Sequence, residues 1–277
     1  MDRFERAGQA FAELCRVMAR LRAPDGCPWD REQTLATLKP YLIEEAYETI
    51  DAMDSGDANA HRDELGDVLL QIVFQAELTQ ETGKFDATDV AHAIVAKLVR
   101  RHPHVFGDAK ADDAKAVLRN WETIKAAERP KHKGTLDSMP RGLPALLRAM
   151  RTGEKAAAVG FDWNHAREVV AKVEEEWSEL LEAMGNLDDA KASEPGGNAE
   201  TVEELGDMLF ALVNLSRRLG IDAEAALHKA ADKFKRRFDH VEQSIVAQGR
   251  TTREATFAEL DALWEEAKRI ERGGGSR

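Results

Sequence analysis

The chain has 277 residues, long enough for two ordinary domains, and its 51 acidic against 39 basic residues give a formal charge of −12. That balance excludes a general nucleic-acid or anionic-membrane surface, since both need a basic footprint. Hydrophobic residues make up 43% and charged ones 32%, with only 8 prolines and 6% aromatics, a composition that favours helix over strand.

The first predicted helix runs from about Phe4 to Leu21, with Phe11, Leu14, Val17, Met18 and Leu21 on its apolar side. Pro24, Asp25 and Gly26 break it. A second helix starts near Leu38 and stops at Asp54 to Asp57, and a third spans about Ala60 to Thr82 before Gly83. A fourth covers Ala87 to Arg101, ahead of Pro103, and a further one carries Trp121. Residues 130–144 hold prolines, glycines and basic side chains in the pattern of an interdomain linker. Beyond it the plan repeats. An acidic helix covers Ala166 to Met184, and Glu194 to Asn198 form a loop. Helices follow at Glu200 to Leu219, ended by Gly220, and at Asp222 to about Ala247. No segment alternates with period two. The expected organisation is all-α, with domains at 1–129 and 145–272, the linker between them, and a disordered tail at 273–277.

The N-terminal MDRFERAGQA carries charges where a signal peptide needs an apolar run, and no uncharged stretch reaches the ~18 residues of a membrane span. A cytoplasmic location is expected. Cys15 and Cys27 lie at no metal-ligand spacing and read as reduced thiols.

Five landmarks occur twice in one order. They are a tryptophan (Trp29; Trp163), Glu-Glu-x-x-Glu (Glu44, Glu45, Glu48; Glu175, Glu176, Glu179) and Glu-Leu-Gly-Asp (Glu64 to Asp67; Glu204 to Asp207). Then come Lys-x-x-Arg-Arg (Lys97, Arg100, Arg101; Lys233, Arg236, Arg237) and Trp-Glu-x-x-Lys (Trp121, Glu122, Lys125; Trp264, Glu265, Lys268). The order implies a duplicated unit.

Residues three apart share a helix face, so each acidic motif directs two carboxylates the same way. The residues after Asp67 and Asp207 are apolar nearly all round, which predicts buried helices with their leading acids facing a partner helix or cleft. Two carboxylates ~4 Å apart repel by ~4 kcal/mol at an effective dielectric of ~20, so four together protonate, separate or recruit a cation. Oxygen-only ligands select a hard ion, Mg²⁺ before Mn²⁺ and Mn²⁺ before Ca²⁺. Gly66 and Gly206 sit between the paired acids at a helix cost of ~1 kcal/mol each, and close helix approach would explain them. Each basic trio forms one cationic face suited to phosphate oxygens, or to ordinary salt bridges on a surface helix. Trp121 with Lys125, and Trp264 with Lys268, lie one turn apart and can stack on a base and reach a phosphate, or belong to the core. Trp29 and Trp163 read as structural, and Trp177 should face the core. There is no Glu-x-x-His pair of the di-iron bundles and no phosphate loop.

GCPWDREQT, LIEEAYE, ELGDVLLQIVF and RRHPHVFGD in the first half closely resemble the MazG nucleoside triphosphate pyrophosphohydrolases of the all-α superfamily. So do VGFDW, KVEEEWSEL, ELGDMLFALVNLSRRLG and KFKRRF in the second. The resemblance implies helical bundles that assemble as homodimers, and Mg²⁺-dependent hydrolysis of nucleoside triphosphates, ATP among them, to monophosphate and pyrophosphate with broad base specificity. It implies metal ligands at Glu176, Glu179, Glu204 and Asp207, with Glu45, Glu48, Glu64 and Asp67 in the first half. Phosphate contacts would come from Lys172, Lys233, Arg237 and Lys268, with Trp264 near the base. Lys172 lies four before Glu176, whereas Tyr41 stands four before Glu45, so the first half lacks one cation. The expected chemistry is water attack at the α-phosphorus with Glu175, or a neighbouring acid that the metal does not use, as base and Lys233 and Arg237 absorbing charge. The alternative is a non-catalytic protein that senses nucleotide or binds a partner.

Overall fold

A computed structural model of the chain describes residues 1–128, 134–137, 139–185 and 198–274. Part of the expected linker (129–133 and 138), the loop at 194–197 and the tail at 275–277 lie outside the described residues. The chain forms two compact units, Met1–Glu128 and Arg129–Arg277. Every regular element among the described residues is a helix, and none is long and apolar enough to cross a membrane.

The first unit contains α1 (Arg3–Arg22), α2 (Pro28–Glu32), α3 (Leu38–Ser55), α4 (Ala58–Gln80), α5 (Ala87–Arg101), α6 (Pro103–Phe106) and α7 (Ala114–Ala127). The second contains α8 (Ala145–Ala158), α9 (Ala166–Met184), α10 (Ala199–Arg218), α11 (Ala223–Ala247), a single 3-10 turn at Thr252–Glu254, and α12 (Phe257–Gly274). Helices α1, α4, α5, α10 and α11 start where a side chain satisfies their first amides. Asp57 accepts from Asn59 and Ala60 at α4, and Asp86 and Asp89 form a capping box at α5. Gly56 ends α3 at φ 73° and Gly220 follows α10 at φ 70°, a left-handed geometry that favours glycine. The short α2 and α6 lie outside the sequence expectation. Each begins on a proline, Pro28 and Pro103, whose fixed φ suits a first helical position but leaves little period to read. Helix α12 continues through Gly274, two residues into the tail expected to be disordered.

Both units use one packing plan. In the first, α3 packs on α4, α1 on α4 and α5 on α7; in the second, α9 packs on α10, α8 on α10 and α11 on α12. The first core joins Met18 of α1, Leu38 of α3 and Val73 and Phe74 of α4, with Phe11, Leu14, Leu21 and Tyr41 packed around them. Fully burying such side chains contributes roughly 1.5–3 kcal/mol each. Val17, expected on the apolar face, points outward and is about half exposed. The second core uses Val169 and Leu180 of α9, Ala211 and Val213 of α10, and Val241 and Ile245 of α11.

Three sequence expectations need correction. Helices α4 and α10 are buried mainly along their second halves, at Val73, Phe74, Ala76 and Thr79 of α4 and at Ala211, Val213 and Asn214 of α10, and not along their whole length. Leu65, Leu69 and Ile72 of α4 and Leu205, Leu209 and Leu212 of α10 remain exposed. Trp177 is 51% exposed, because α9 turns Glu176 and Leu180 inward and the neighbouring position faces out. Gly66 and Gly206 do not mark close packing within the chain, since a Cβ at either would meet nothing within 4 Å. The glycine that permits close approach is Gly153 of α8. A Cβ there would lie 2.5 Å from Asn214 Oδ1 and 2.9 Å from Arg217 Nε.

Candidate active site

Helices α9 and α10 pack as a pair, which brings their acids face to face. Oxygens of Glu176, Glu204 and Asp207 lie within 4.8 Å of one another. Glu176 is only 6% exposed, while Glu204 is half-buried and Asp207 exposed, so the cluster opens from a covered floor to solvent. Burial first, and then the charges of Glu179, Asp207, Glu176 and Glu203, push the Glu204 carboxyl above the usual range. Glu179 therefore acts on the cluster electrostatically, although its oxygens fall outside the tight trio.

The first unit builds its version on α3 and α4, with oxygens of Glu45, Glu48 and Glu64 within 4.8 Å of one another. Burial and then Asp67, Glu48, Glu44 and Glu64 raise the Glu45 carboxyl. Glu64 is raised by burial and by Glu48, Asp67 and Asp63. Here Asp67 lies outside the trio, whereas in the second unit its counterpart Asp207 is inside and Glu179 is outside.

A cation marks the second difference. Lys172 Nζ lies 2.7 Å from Glu176 Oε1 and 2.9 Å from Glu175 Oε1. The hydrogen bond to Glu176, then that to Glu175, holds the ammonium above the usual lysine range. At the matching register Tyr41 turns its ring edge-on to Trp29, at 5.9 Å between centroids.

The basic and aromatic landmarks form a second layer on the last two long helices of each unit. Arg237 of α11 lies 5.7 Å over the Trp264 ring of α12, and its Nη2 is 2.7 Å from Glu271. Phe234 packs at 4.9 Å on the other contact of that tryptophan, and Arg236 reaches Glu271 at 3.8 Å. Lys268 pairs with Glu265 at 2.6 Å, while Lys233 is exposed. In the first unit Arg101 lies 5.2 Å over Trp121, and Glu128 accepts from Arg101 Nη2 at 2.5 Å and Arg100 Nε at 2.6 Å. Lys97 is exposed and Lys125 half-buried. The ion pairs of Arg236, Arg237 and Lys268 thus run within α11 and α12, separate from the trio of Glu176, Glu204 and Asp207.

Sequence reasoning missed Glu128 and Glu271. Each follows its tryptophan by seven residues, so the fifth landmark extends to Trp-Glu-x-x-Lys-x-x-Glu in both copies. It also missed Asp162, which holds Arg217 of α10 at 2.5 Å and Arg218 at 3.2 Å and braces the cluster helix from its far end.

The donor set fits a hard divalent cation. All ligand atoms are carboxylate oxygens, gathered from two rigid helices with a solvent-facing side left for water or substrate. Residues 33–106 and 165–242 each match the MazG nucleotide pyrophosphohydrolase domain. The chain is 46% identical over 262 residues to the nucleoside triphosphate pyrophosphohydrolase of Escherichia coli K12, covering 93% of this chain and 97% of that protein. It is 45% identical to the nucleoside triphosphate pyrophosphohydrolase/pyrophosphatase MazG of Thermotoga maritima, covering 95% and 97%. It is 42% identical to YabN of Bacillus subtilis, where it spans 52% of that longer protein. With two matched domains and near full-length identity to these relatives, the chain belongs to the MazG nucleotide pyrophosphohydrolase family.

Proposed function

We propose that this protein hydrolyses nucleoside triphosphates to monophosphate and pyrophosphate by water attack at the α-phosphorus, with broad base specificity and with the second unit as its main catalyst. The observation that carries this is the joining of one acidic cluster, Glu176, Glu204 and Asp207, to one lysine, Lys172, on a packed helix pair. Glu176, Glu179, Glu204 and Asp207 would hold Mg²⁺, or Mn²⁺ in its place. Bound there, the ion supplies a polarised phosphate, an activated water and a partly neutralised leaving group.

The chain's own residues do the rest. Glu175, exposed at the rim, accepts the proton of the attacking water. Lys172 contacts a phosphate oxygen. Lys233, Arg236 and Arg237 take up charge on the β and γ phosphates, with Lys268 beside them. Trp264 offers a face to the base. Lys97, Arg100, Arg101, Trp121 and Lys125 hold the equivalent places in the first unit. That unit works less well, because Tyr41 stands where the second has Lys172.

The working form is a homodimer. Leu205, Leu209 and Leu212 of α10, with Val170, Trp177 and Leu181 of α9, leave an apolar face larger than isolated surface residues require. The division into domains 1–129 and 145–272 with a linker at 130–144, the cytoplasmic location, and the absence of nucleic-acid or membrane partners belong to the same proposal.

Phosphorus-31 NMR of the products formed from several nucleoside triphosphates with Mg²⁺ tests the reaction. Monophosphate with pyrophosphate is expected. Diphosphate with orthophosphate overturns the assignment of attack at the α-phosphorus.

A further inference from the structure

We propose that Lys172 is a built-in counter-ion that makes cation binding at the second acidic cluster depend on nucleotide, whereas the first cluster takes its cation alone. This deepens the functional proposal and rests on its reading of both clusters as divalent-cation sites.

The argument begins with Glu176, the most covered acid of the cluster at 6% exposure. A carboxylate so placed needs a partner. Lys172 supplies one, with its ammonium 2.7 Å from Glu176 Oε1 and 2.9 Å from Glu175 Oε1. Glu176 is also the acid whose oxygen lies within 4.8 Å of ligand atoms on Glu204 and Asp207. The ammonium and an incoming cation therefore compete for one carboxylate. Two positive charges around Glu176 repel, and moving Lys172 into water forfeits a charge-assisted hydrogen bond. A triphosphate changes that balance. It offers Lys172 anionic oxygens in exchange for Glu176 while also supplying ligands to the cation, so the exchange proceeds when cation and nucleotide arrive together.

The first unit has no such competitor. Tyr41 occupies the register of Lys172, its ring is engaged with Trp29 at 5.9 Å, and it brings no ammonium to the cluster. Among the described residues no lysine, arginine or histidine is ion-paired to Glu45, Glu48 or Glu64. Repulsion among these three acids has no internal relief, so a cation binds there whether or not nucleotide is present.

The test is a Mn²⁺ titration followed by the electron paramagnetic resonance of free Mn²⁺, with and without α,β-methylene ATP, which resists cleavage at the scissile bond. Glu48→Gln with Glu64→Gln isolates the second cluster, and Glu179→Gln with Glu204→Gln isolates the first. The isolated second cluster should bind Mn²⁺ at least about tenfold tighter when the nucleotide is present, the scale of losing and replacing one charged hydrogen bond. The isolated first cluster should bind Mn²⁺ alone, and nucleotide should strengthen that binding several-fold less than at the second cluster, each titration being read against a protein-free blank of Mn²⁺ and nucleotide. Lys172→Met on the isolated second cluster should raise affinity for Mn²⁺ alone about tenfold and remove the dependence on nucleotide. Lys172→Arg, checked for helix content, should retain it. Equal nucleotide dependence in the two clusters overturns the proposal, even if Lys172→Met fails to fold. So does a folded Lys172→Met chain with unchanged Mn²⁺ affinity, and in both cases the cation-site reading stands. Absence of Mn²⁺ binding at either cluster, with nucleotide present, overturns that reading as well.

Discussion

The two acidic clusters are built from the same four acids on equivalent helix pairs, yet they are different chemical objects. In the first, Glu45, Glu48 and Glu64 converge, and burial with mutual repulsion raises the Glu45 and Glu64 carboxyls. In the second, Glu176, Glu204 and Asp207 converge, and Lys172 grips the most covered of them. One position accounts for the contrast in charge, since Tyr41 and Lys172 hold the same register four residues before the central acid. Duplication kept the acids, and the lysine distinguishes the copies. A carboxylate cluster marks where a cation can sit, and on the proposal above the neighbouring charge sets when it does.

The comparison breaks most sharply at the proposed cation ligands. Glu179→Gln should lower turnover by about 100-fold or more, the scale of losing a group that stabilises transition-state charge, with helix content unchanged. The matching Glu48→Gln in the first unit should leave more than about half of total turnover in place. Steady-state kinetics with circular dichroism on each variant checks both. Equal losses would mean that the units share the work, and normal turnover in Glu179→Gln would remove that acid from the mechanism.

A second contrast sets Gly153 against Gly206. Gly153→Ala forces a Cβ to within 2.5 Å of Asn214 Oδ1, and Asn214 is itself buried at 3% exposure. The neighbouring Arg217 is pinned by Asp162, so the clash has no easy outlet. A stability loss of about 1–3 kcal/mol by urea denaturation is expected. Gly206→Ala meets open space inside the chain and removes a helical glycine. If α10 packs on a second copy, as the homodimer proposal requires, the variant should weaken self-association about tenfold in sedimentation, or about 1.4 kcal/mol. A raised melting temperature with unchanged association would show that this face stays open.

Much of this was legible in the sequence, and the gaps have physical causes. The acid-bearing helices follow from period and punctuation. Helix α9 starts at Ala166 and ends at Met184, and α5 starts at Ala87 and ends at Arg101, as the pattern predicts. The family resemblance held, with both copies of the domain matched. Burial was less legible, because apolar residues around a whole helix imply a cover without saying which chain supplies it. That is why Trp177 and Leu209 face outward against expectation. The glycine error has the same origin, since spacing reveals that a glycine is retained and not which neighbour requires it. Glu128 and Glu271 escaped because a lone acid one turn past Lys125 or Lys268 reads as a solvated residue until its guanidinium partner is located on another helix.

Those two acids give the smallest effect and a direct comparison of the two basic layers. The hydrogen bond from Arg101, then that from Arg100, holds the Glu128 carboxyl at about 2 against an ordinary 4.5. Its folded value is depressed, so its stabilisation is fully present above pH 4.5 and is lost as pH falls from there through about 2. The difference in melting temperature between wild type and Glu128→Gln should therefore be constant near neutrality, shrink below pH 4.5 and vanish only below about pH 2. Glu271 shares its hydrogen-bonding role but meets Arg236 only at 3.8 Å, so one guanidinium dominates it where two hold Glu128. If Arg237 must leave Glu271 to meet phosphate, the looser pair is the one suited to exchange. Glu271→Gln should then alter the KM for nucleotide more than Glu128→Gln does, and equal shifts would deny the basic layers any such division.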